Sequence, residues 1–374
     1  MRTIVFWQDL ESIHQSAVIR ALAQRPDRRV VLVTQRLGDR RRGAMGWNRP
    51  DLSGVECHSA PTVAERNAII WDASSERDFH LFTGIRAVAG VFSAFREVVR
   101  GAARVGIIAE GADPRGAAGV ARRALYRAYC WRYGRHIDLI MAMGQNGVEW
   151  YRGVGFAEQL VRPYAYFVER PSAVWLPVEP LPNRFTFAFV GELSDRKGIE
   201  LLIRALASMK DRAWRLRVVG DGARRGALQR LAAQFGVADR IEWLGFESNI
   251  VALSIIASAD LLVLPSRHDG WGAVVNESLA VGVPALCSDA CGARDLLHAA
   301  YRGDVFQNGD VRGLTAVLKR RLDAGSPSRE LRERIRKWAD NISGEVGAEY
   351  LDRVLDALAE DFIEPVPVPL WYVS

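Results

Sequence analysis

The sequence predicts two doubly wound α/β domains in series. Short apolar runs alternate with helix-period patterns along most of the chain. Those runs are continuously apolar rather than alternating, which marks parallel strands covered on both faces. A proline-rich break then divides the pattern into two series. At 374 residues the chain is long enough for two separate cores.

The first series opens with a strand at TIVFW (3–7), followed by SIHQSAVIRALAQ (12–24), whose apolar residues recur at three- and four-residue spacing. RVVLVTQ (29–35) reads as a second strand, and GVECHSA, DFHLFTG, RVGIIAE and IDLIMAM as further ones. The break is ERPSAVWLPVEPLPNR (169–184), where Pro171, Pro177, Pro180 and Pro182 suit a linker. The second series places strands at 185–191, 216–222, 241–245, 261–266 and 284–289, and helices at 198–209, 224–235, 249–258 and 273–281. SGEVGAEYLDRVLDALAEDFIE (343–364) reads as one long amphipathic helix. The expected division is a first domain over 1–170, a linker over 171–184, a second domain over 185–342, and a closing helix and tail over 343–374.

Composition narrows the class. At 49% hydrophobic and 25% charged, this is an ordinary globular chain. No run of 18 apolar residues occurs, and the apolar start of MRTIVFWQDLES is too short for a signal peptide. Cys57, Cys130, Cys287 and Cys291 lack zinc-site spacing and read as free thiols, which suits a cytoplasmic, reducing compartment. Residues 1–170 carry 25 arginines and no lysine against 17 acids, while the rest of the chain is near neutral. That asymmetry points to an anionic partner for the first half, whether nucleic acid, a membrane surface or a phosphorylated acceptor, or to a solvated Arg-rich surface.

The chemistry concentrates at strand ends of the second series, where open parallel sheets bind ligands. FVGELSDRKG places Arg196 and Lys197 in a turn that opens a helix. VVGDG puts Gly220 and Gly222 where backbone turns tightly or a ligand comes close, and WLGF ends another strand at Gly245. LPSRHDGWGAVV ends a fourth strand and opens a helix near Ala273, whose free N–H groups would attract a phosphate past Gly270 and Gly272. Arg196 and Lys197 could hold the same diphosphate. Glu277 lies one turn into that helix and could accept hydrogen bonds from a ribose diol; Asp269, before it, could meet sugar hydroxyls or a positive sugar carbon.

Together, FVGELSDRKGIELLIRAL, LRVVGDG, IEWLGF and LPSRHDGWGAVVNESLAVGVPALCSDACGARDLL resemble the nucleotide-binding half of the family 4 glycosyltransferases over about 180–300. The resemblance implies the GT-B architecture: two Rossmann-like domains facing a donor cleft, with a final helix crossing back to the first. It implies a retaining transfer from a nucleotide diphosphate sugar, UDP- favoured over GDP-, with no cofactor and no metal. Lys197 matches the family's diphosphate lysine, and Glu277 the second acid of its E-x7-E pair. Asp269 stands at the first acid, one methylene short, where the family meets the transferred sugar. Glu192 stands where the family often has arginine, so Arg196 is expected to supply that cation. Gly191, Gly270, Trp271, Gly272, Ala273 and Val274 fall around the expected diphosphate site, and Gly220, Gly245 and Phe246 line the rest of the donor site, the last two near the base.

The first half matches that family less closely. Its loop WQDLESIH has no glycine, and RVGIIAEGADPRG offers Glu110 where a histidine often stands; Glu110 is expected on the acceptor side. His14 and His136 read as solvated or core histidines. The segment 115–136 mixes Arg122, Arg123, Arg127, Arg132 and Arg135 with Tyr126, Tyr129, Trp131 and Tyr133. As a helix it reads either as a solvated surface with an aromatic core face or as an anionic membrane interface. The second implies a peripheral place at the inner face of the cell membrane and a lipid-linked saccharide acceptor in surface polysaccharide assembly, the first a soluble acceptor. The competing readings are a non-catalytic sugar-nucleotide-binding or scaffold subunit and a GT-B nucleotide-sugar epimerase. A dehydrogenase lacks its G-x-G-x-x-G after the first strand, and nucleic-acid binding lacks a recognisable module.

Overall fold

The computed structural model describes residues 1–36, 50–85, 88–169, 184–359 and 368–372. They form two compact units, the first holding residues up to 169 together with those from Ile342 onward, the second ending at Asn341. The prolines read as a linker lie outside the described residues.

Unit 1 begins with β1 (Arg2–Gln8), α1 (Ile13–Ala23), β2 (Arg28–Thr34), β3 (Glu56–Ser59), α2 (Val63–Asp72), β4 (Phe79–Phe82) and α3 (Ala89–Val98). It continues through β5 (Arg104–Glu110), α4 (Gly116–Tyr133), β6 (Leu139–Met143), α5 (Gly144–Gly153) and β7 (Val161–Tyr164). Unit 2 holds β8 (Phe185–Val190), α6 (Ile199–Ala207), β9 (Trp214–Val219), α7 (Arg225–Gln234), β10 (Ile241–Gly245) and α8 (Asn249–Ala257). After these come β11 (Leu261–Leu264), α9 (Val274–Ala280), β12 (Ala285–Ser288), β13 (Gly303–Phe306), α10 (Val311–Ala324) and α11 (Arg329–Ala339). The last helix, α12 (Gly344–Ala359), returns to unit 1.

Both sheets are parallel and share one plan. The first runs β3-β2-β1-β4-β5-β6-β7 and the second β10-β9-β8-β11-β12-β13, so strand order reverses beside β1 and again beside β8. The central strands are Val-, Ile-, Leu- and Phe-rich because helices cover both faces. The two reversal points differ in register. β1 and β4 pair from Ile4↔Phe79 to Trp7↔Phe82, the full length of β4. β8 and β11 pair only at Leu261↔Phe187 and Leu262↔Ala188, so their carboxyl ends part before either strand finishes.

The core of unit 1 contains a charge-free histidine. Trp7 Nε1 donates to His80 Nδ1 at 2.9 Å, which leaves Nε2 protonated to donate to the Ala73 carbonyl at 2.8 Å. Burial pushes the His80 ring down to about 4.

α12 closes unit 1 against α1. Gly344 lies on Ala17, so closely that an added Cβ would meet the Ala17 Cβ at 2.6 Å. Asp352, 4% exposed, accepts from Arg25 at 2.8 Å and Arg28 at 2.7 Å. Asp356 accepts from Arg28 at 2.7 Å and also from Arg2. Tyr350 donates to the Pro163 carbonyl at 3.1 Å. The return helix is the one the resemblance implies; it runs to Ala359, and 360–367 lie outside the described residues.

Candidate functional site

The parted ends of β8 and β11 each feed a loop that carries charge. After β8 the chain turns through a short 3₁₀ segment, Asp195–Lys197, and stops at Gly198 in the left-handed region at φ 63°. A side chain at Gly198 would strike the Pro265 carbonyl, so this turn packs directly on the loop that follows β11. A hydrogen bond from Arg267 N to Arg196 O at 2.8 Å stitches the two loops together.

This packing brings Arg196, Lys197 and Asp269 into one cluster, as their positions at neighbouring strand ends suggested. Lys197 Nζ donates to Asp269 Oδ2 at 2.6 Å, Ser266 Oγ donates to the same oxygen at 3.2 Å, and Arg196 Nη1 lies 3.5 Å from Oδ1. Asp269 is only 8% exposed. Burial alone would raise its carboxyl, but Lys197, Arg196 and Ser266 hold it below the ordinary carboxylate range. Arg196 is the exposed member and also donates to the His268 carbonyl at 3.3 Å.

A third loop fixes the height of Asp269. Asp269 N donates to Ala290 O at 3.1 Å, Gly292 N returns to Asp269 O at 3.1 Å, and Ala293 N donates to Trp271 O at 2.8 Å. The stretch after β12 is thus a brace for the acid-bearing loop, a job that spacing alone did not reveal. Gly272, at φ 95°, has Cys291 Sγ and Leu264 against it, leaving no room for a Cβ.

Glu277 sits in the first turn of α9, partly exposed. Asn249 Nδ2 at the start of α8 donates to Glu277 Oε1 at 3.1 Å. Desolvation outweighs that bond and pushes the carboxyl up to about 7. Asn249 escaped the sequence reading because it has no motif of its own.

The donor-site glycines have an internal reason as well. Gly191, Gly220 and Gly245 lie at the ends of adjacent strands; Gly191 N donates to Val219 O at 3.0 Å and Gly220 N to Gly245 O at 2.6 Å. At φ 125°, Gly220 also lets the Gly191 carbonyl approach where a Cβ would overlap it. Phe246, just beyond, is 52% exposed. The Trp271 side chain is fully buried and donates to Asn276 Oδ1 at 2.7 Å, so what Trp271 offers at the donor site is backbone. Gly270, Ala273 and Val274 stand with Gly272 where the loop enters α9. That helix has only seven residues, so its dipole is weak.

Glu110 is not in this cluster. It ends β5 in unit 1, where Tyr166 Oη donates to its Oε1 at 3.0 Å. Around it a pocket of about 360 Å³ is lined by Gln8, Gln15, Thr83 and Tyr166 together with the paired Asp9 and Arg36. His14 stacks on Tyr166 with ring centroids 5.4 Å apart. For most of its aromatics, the basic helix α4 takes the reading of a solvated surface with an aromatic core face. Tyr126, Tyr129 and Tyr133 turn inward against Phe92, Trp150 and Tyr151. Trp131, 86% exposed, and Val120, 68% exposed, point outward instead. Among the described residues, no helix is long and apolar enough to cross a membrane.

Two parallel sheets with reversal points at β1 and β8 define a two-domain α/β protein of GT-B fold. The more particular likeness lies in unit 2: residues 177–340, a little under half of the chain, match the family model described as Glycosyl transferases group 1. Among curated relatives, a 2-deoxystreptamine glucosyltransferase of Streptomyces kanamyceticus is 28% identical over 46% of this chain and 48% of its own length. A lipopolysaccharide 1,6-galactosyltransferase of Escherichia coli is 27% identical over 44% of this chain and 47% of its own. The chain thus spans about half the length of these relatives. Among solved structures, the Anabaena protein HepE in complex with UDP aligns with a TM-score of 0.72 at 16% identity, covering 95% of this chain and all of its own. The apo lipopolysaccharide outer core galactosyltransferase WaaB aligns with a TM-score of 0.69 at 14% identity, covering 94% and 98%. The family match and the named relatives thus tie unit 2 in sequence to glycosyltransferases, and the solved structures tie the chain to the GT-B fold.

Proposed function

We propose that this chain is a retaining glycosyltransferase that moves a sugar from a nucleotide diphosphate sugar, UDP- before GDP-, to a saccharide acceptor. The observation that carries the reading is the cluster of Lys197, Arg196 and Asp269 at the parted ends of β8 and β11. In this reading Lys197 and Arg196 neutralise the departing diphosphate as its charge develops. Glu277 accepts the ribose hydroxyls, and Asp269 meets the transferred sugar or orients Lys197 toward the diphosphate. With two fixed cations at the leaving group, the transfer calls on no metal, and the leaving phosphate oxygen can take the acceptor's proton.

The acceptor belongs to unit 1. Glu110 and Tyr166 offer hydrogen-bonding groups for a polyol there. The outward side of α4, with Val120, Leu125 and Trp131 beside Arg127 and Arg132, suits an anionic membrane surface at the inner face of the cell, hence a lipid-linked acceptor. Relatives that act on lipopolysaccharide favour surface polysaccharide assembly.

A thermal-shift panel of UDP-, GDP- and ADP-sugars tests the donor, with Glu277→Ala beside the wild type. UDP-sugars should give the largest protection, and Glu277→Ala should remove most of it. Protection untouched by that substitution would sink the ribose assignment. Binding without transfer across a broad acceptor panel would favour a scaffold subunit, and donor turnover without any acceptor an epimerase.

A further inference from the structure

At the other end of unit 1, the last turns of α3 and α4 meet around a pocket of about 530 Å³. α3 leads into the start of β5 and α4 into the start of β6, so this pocket lies away from the strand ends that hold Glu110. Its wall carries Arg96, Arg100, Arg132 and His136, with Phe92 and Tyr133 as the apolar part, and no carboxylate lines it. Arg100 is paired with Glu97 at 3.0 Å. Among the described residues, Arg96 and Arg132 form no ion pair and no hydrogen bond, although Arg132 lies over the Tyr133 ring at 5.1 Å.

Each arginine at a helix end has an ordinary explanation, because a cation in the last turn answers the carbonyl end of the helix. That accounts for each one singly. It does not account for two such ends and the Arg100 turn converging on one concave wall whose lining holds no carboxylate. Like charges gathered this way repel one another, and a bound anion removes the repulsion. Guanidinium forks match tetrahedral oxyanions, and Phe92 and Tyr133 offer an apolar flank to whatever the anion is esterified to.

We propose that this pocket binds the phosphate group of a phosphate ester. The group could arrive on a soluble metabolite or as a lipid headgroup; the recognising chemistry is the same. The site is independent of the donor reading, since every residue it uses lies in unit 1 and none belongs to the Lys197 cluster.

The experiment uses the full chain and three probes: inorganic phosphate, glycerol 3-phosphate, and vesicles of phosphatidylglycerol in phosphatidylcholine against phosphatidylcholine alone. The variants are Arg96→Gln, the double Arg96→Gln/Arg132→Gln, and Arg127→Gln as a control for bulk charge on α4. All three positions are exposed, so folding should survive. Titration should show phosphate or glycerol 3-phosphate binding that the double variant weakens roughly tenfold, Arg96→Gln less, and Arg127→Gln hardly at all. If vesicle pelleting also falls in Arg96→Gln, whose residue lies outside the α4 membrane face, the lipid headgroup is the source; if only the soluble probes are affected, it is a soluble ester. The proposal fails if the wild type binds none of the probes, if the double variant binds them as well as the wild type, or if Arg127→Gln weakens soluble-probe binding equally. UDP-sugar protection, measured in parallel, should stay unchanged in the double variant, which separates failure here from failure of the transferase reading.

Discussion

The two sheets have the same strand order, yet their reversal points are built for different work. In unit 1, β1 and β4 stay paired to Phe82, and Thr83 N extends the ladder to the Trp7 carbonyl at 3.1 Å. The ligand-sized space there is bounded by amides, hydroxyls, the Glu110 carboxylate and the paired Asp9 and Arg36, with no lysine among its lining. In unit 2, β8 and β11 separate after two pairs, and three loops close over the gap with a buried Lys197–Asp269 pair at their centre. Topology sets where a site can lie; how soon two strands stop pairing, and what the loops bring, sets its chemistry.

Several changes would break or sharpen that contrast. The largest effect is expected from Lys197→Met. It leaves Asp269 buried without its nearest cation, which should lower the stability of unit 2 by about 4 kcal/mol. Urea unfolding followed by hydrogen exchange on unit 2 peptides reads this, and an unchanged midpoint would mean the pair is not central. Gly220→Ala comes next, at about 3 kcal/mol, because φ 125° and the Gly191 carbonyl both oppose a side chain. The same exchange experiment should show the loss in unit 2 and not in unit 1.

Unit 1 has its own sensitivity, through His80. Its folded value lies below its unfolded one, so the unfolded chain binds the extra proton first. Stability is therefore complete above pH 6.5 and is lost as pH falls from 6.5 toward about 4, by roughly 2–3 kcal/mol. Unfolding midpoints of unit 1 across that range should slope accordingly, and His80→Gln should flatten the slope.

Glu277 works the opposite way. Its folded value is raised from 4.5 to about 7, so folding favours its protonated form and stability declines between those limits as pH rises. If the ionised carboxylate binds the ribose, UDP-sugar affinity should fall about tenfold for each pH unit below 7. Glu277→Gln should make affinity flat between pH 6 and 8; a slope that survives belongs to another group. Tyr166→Phe should matter least, under about 1 kcal/mol for one exposed hydrogen bond, with UDP-sugar protection intact. Loss of protection in that variant would erase the distinction between the two reversal points.

Much of this frame was legible in the sequence because buried parallel strands announce themselves as apolar runs. β1, β2, β5, β8 and β11 follow such runs closely. β7, VRPY, was not legible, since a proline in an edge strand reads as a break, and β13, GDVF, has only two apolar residues. The gathering of Lys197, Arg196 and Asp269 followed from their order along neighbouring strand ends. Asn249 and the Ala290–Ala293 brace did not, because hydrogen bonds between loops leave no periodicity. Nor was the burial of the Trp271 indole legible, since a tryptophan between two glycines gives no sign that Asn276 on the following helix holds it in the core. The tyrosines of α4 show the same ambiguity, since helical spacing gives the faces but not which of them turns inward.

The return of α12 has a consequence for biosynthesis. The residues that Arg2, Arg25 and Arg28 hold, Asp352 and Asp356, are more than 300 positions away in sequence. A ribosome delivers every strand of unit 2 before it delivers the helix that completes unit 1. The domain whose synthesis begins first is therefore the last to be finished. Until then it waits with the face of α1 around Ala17 uncovered.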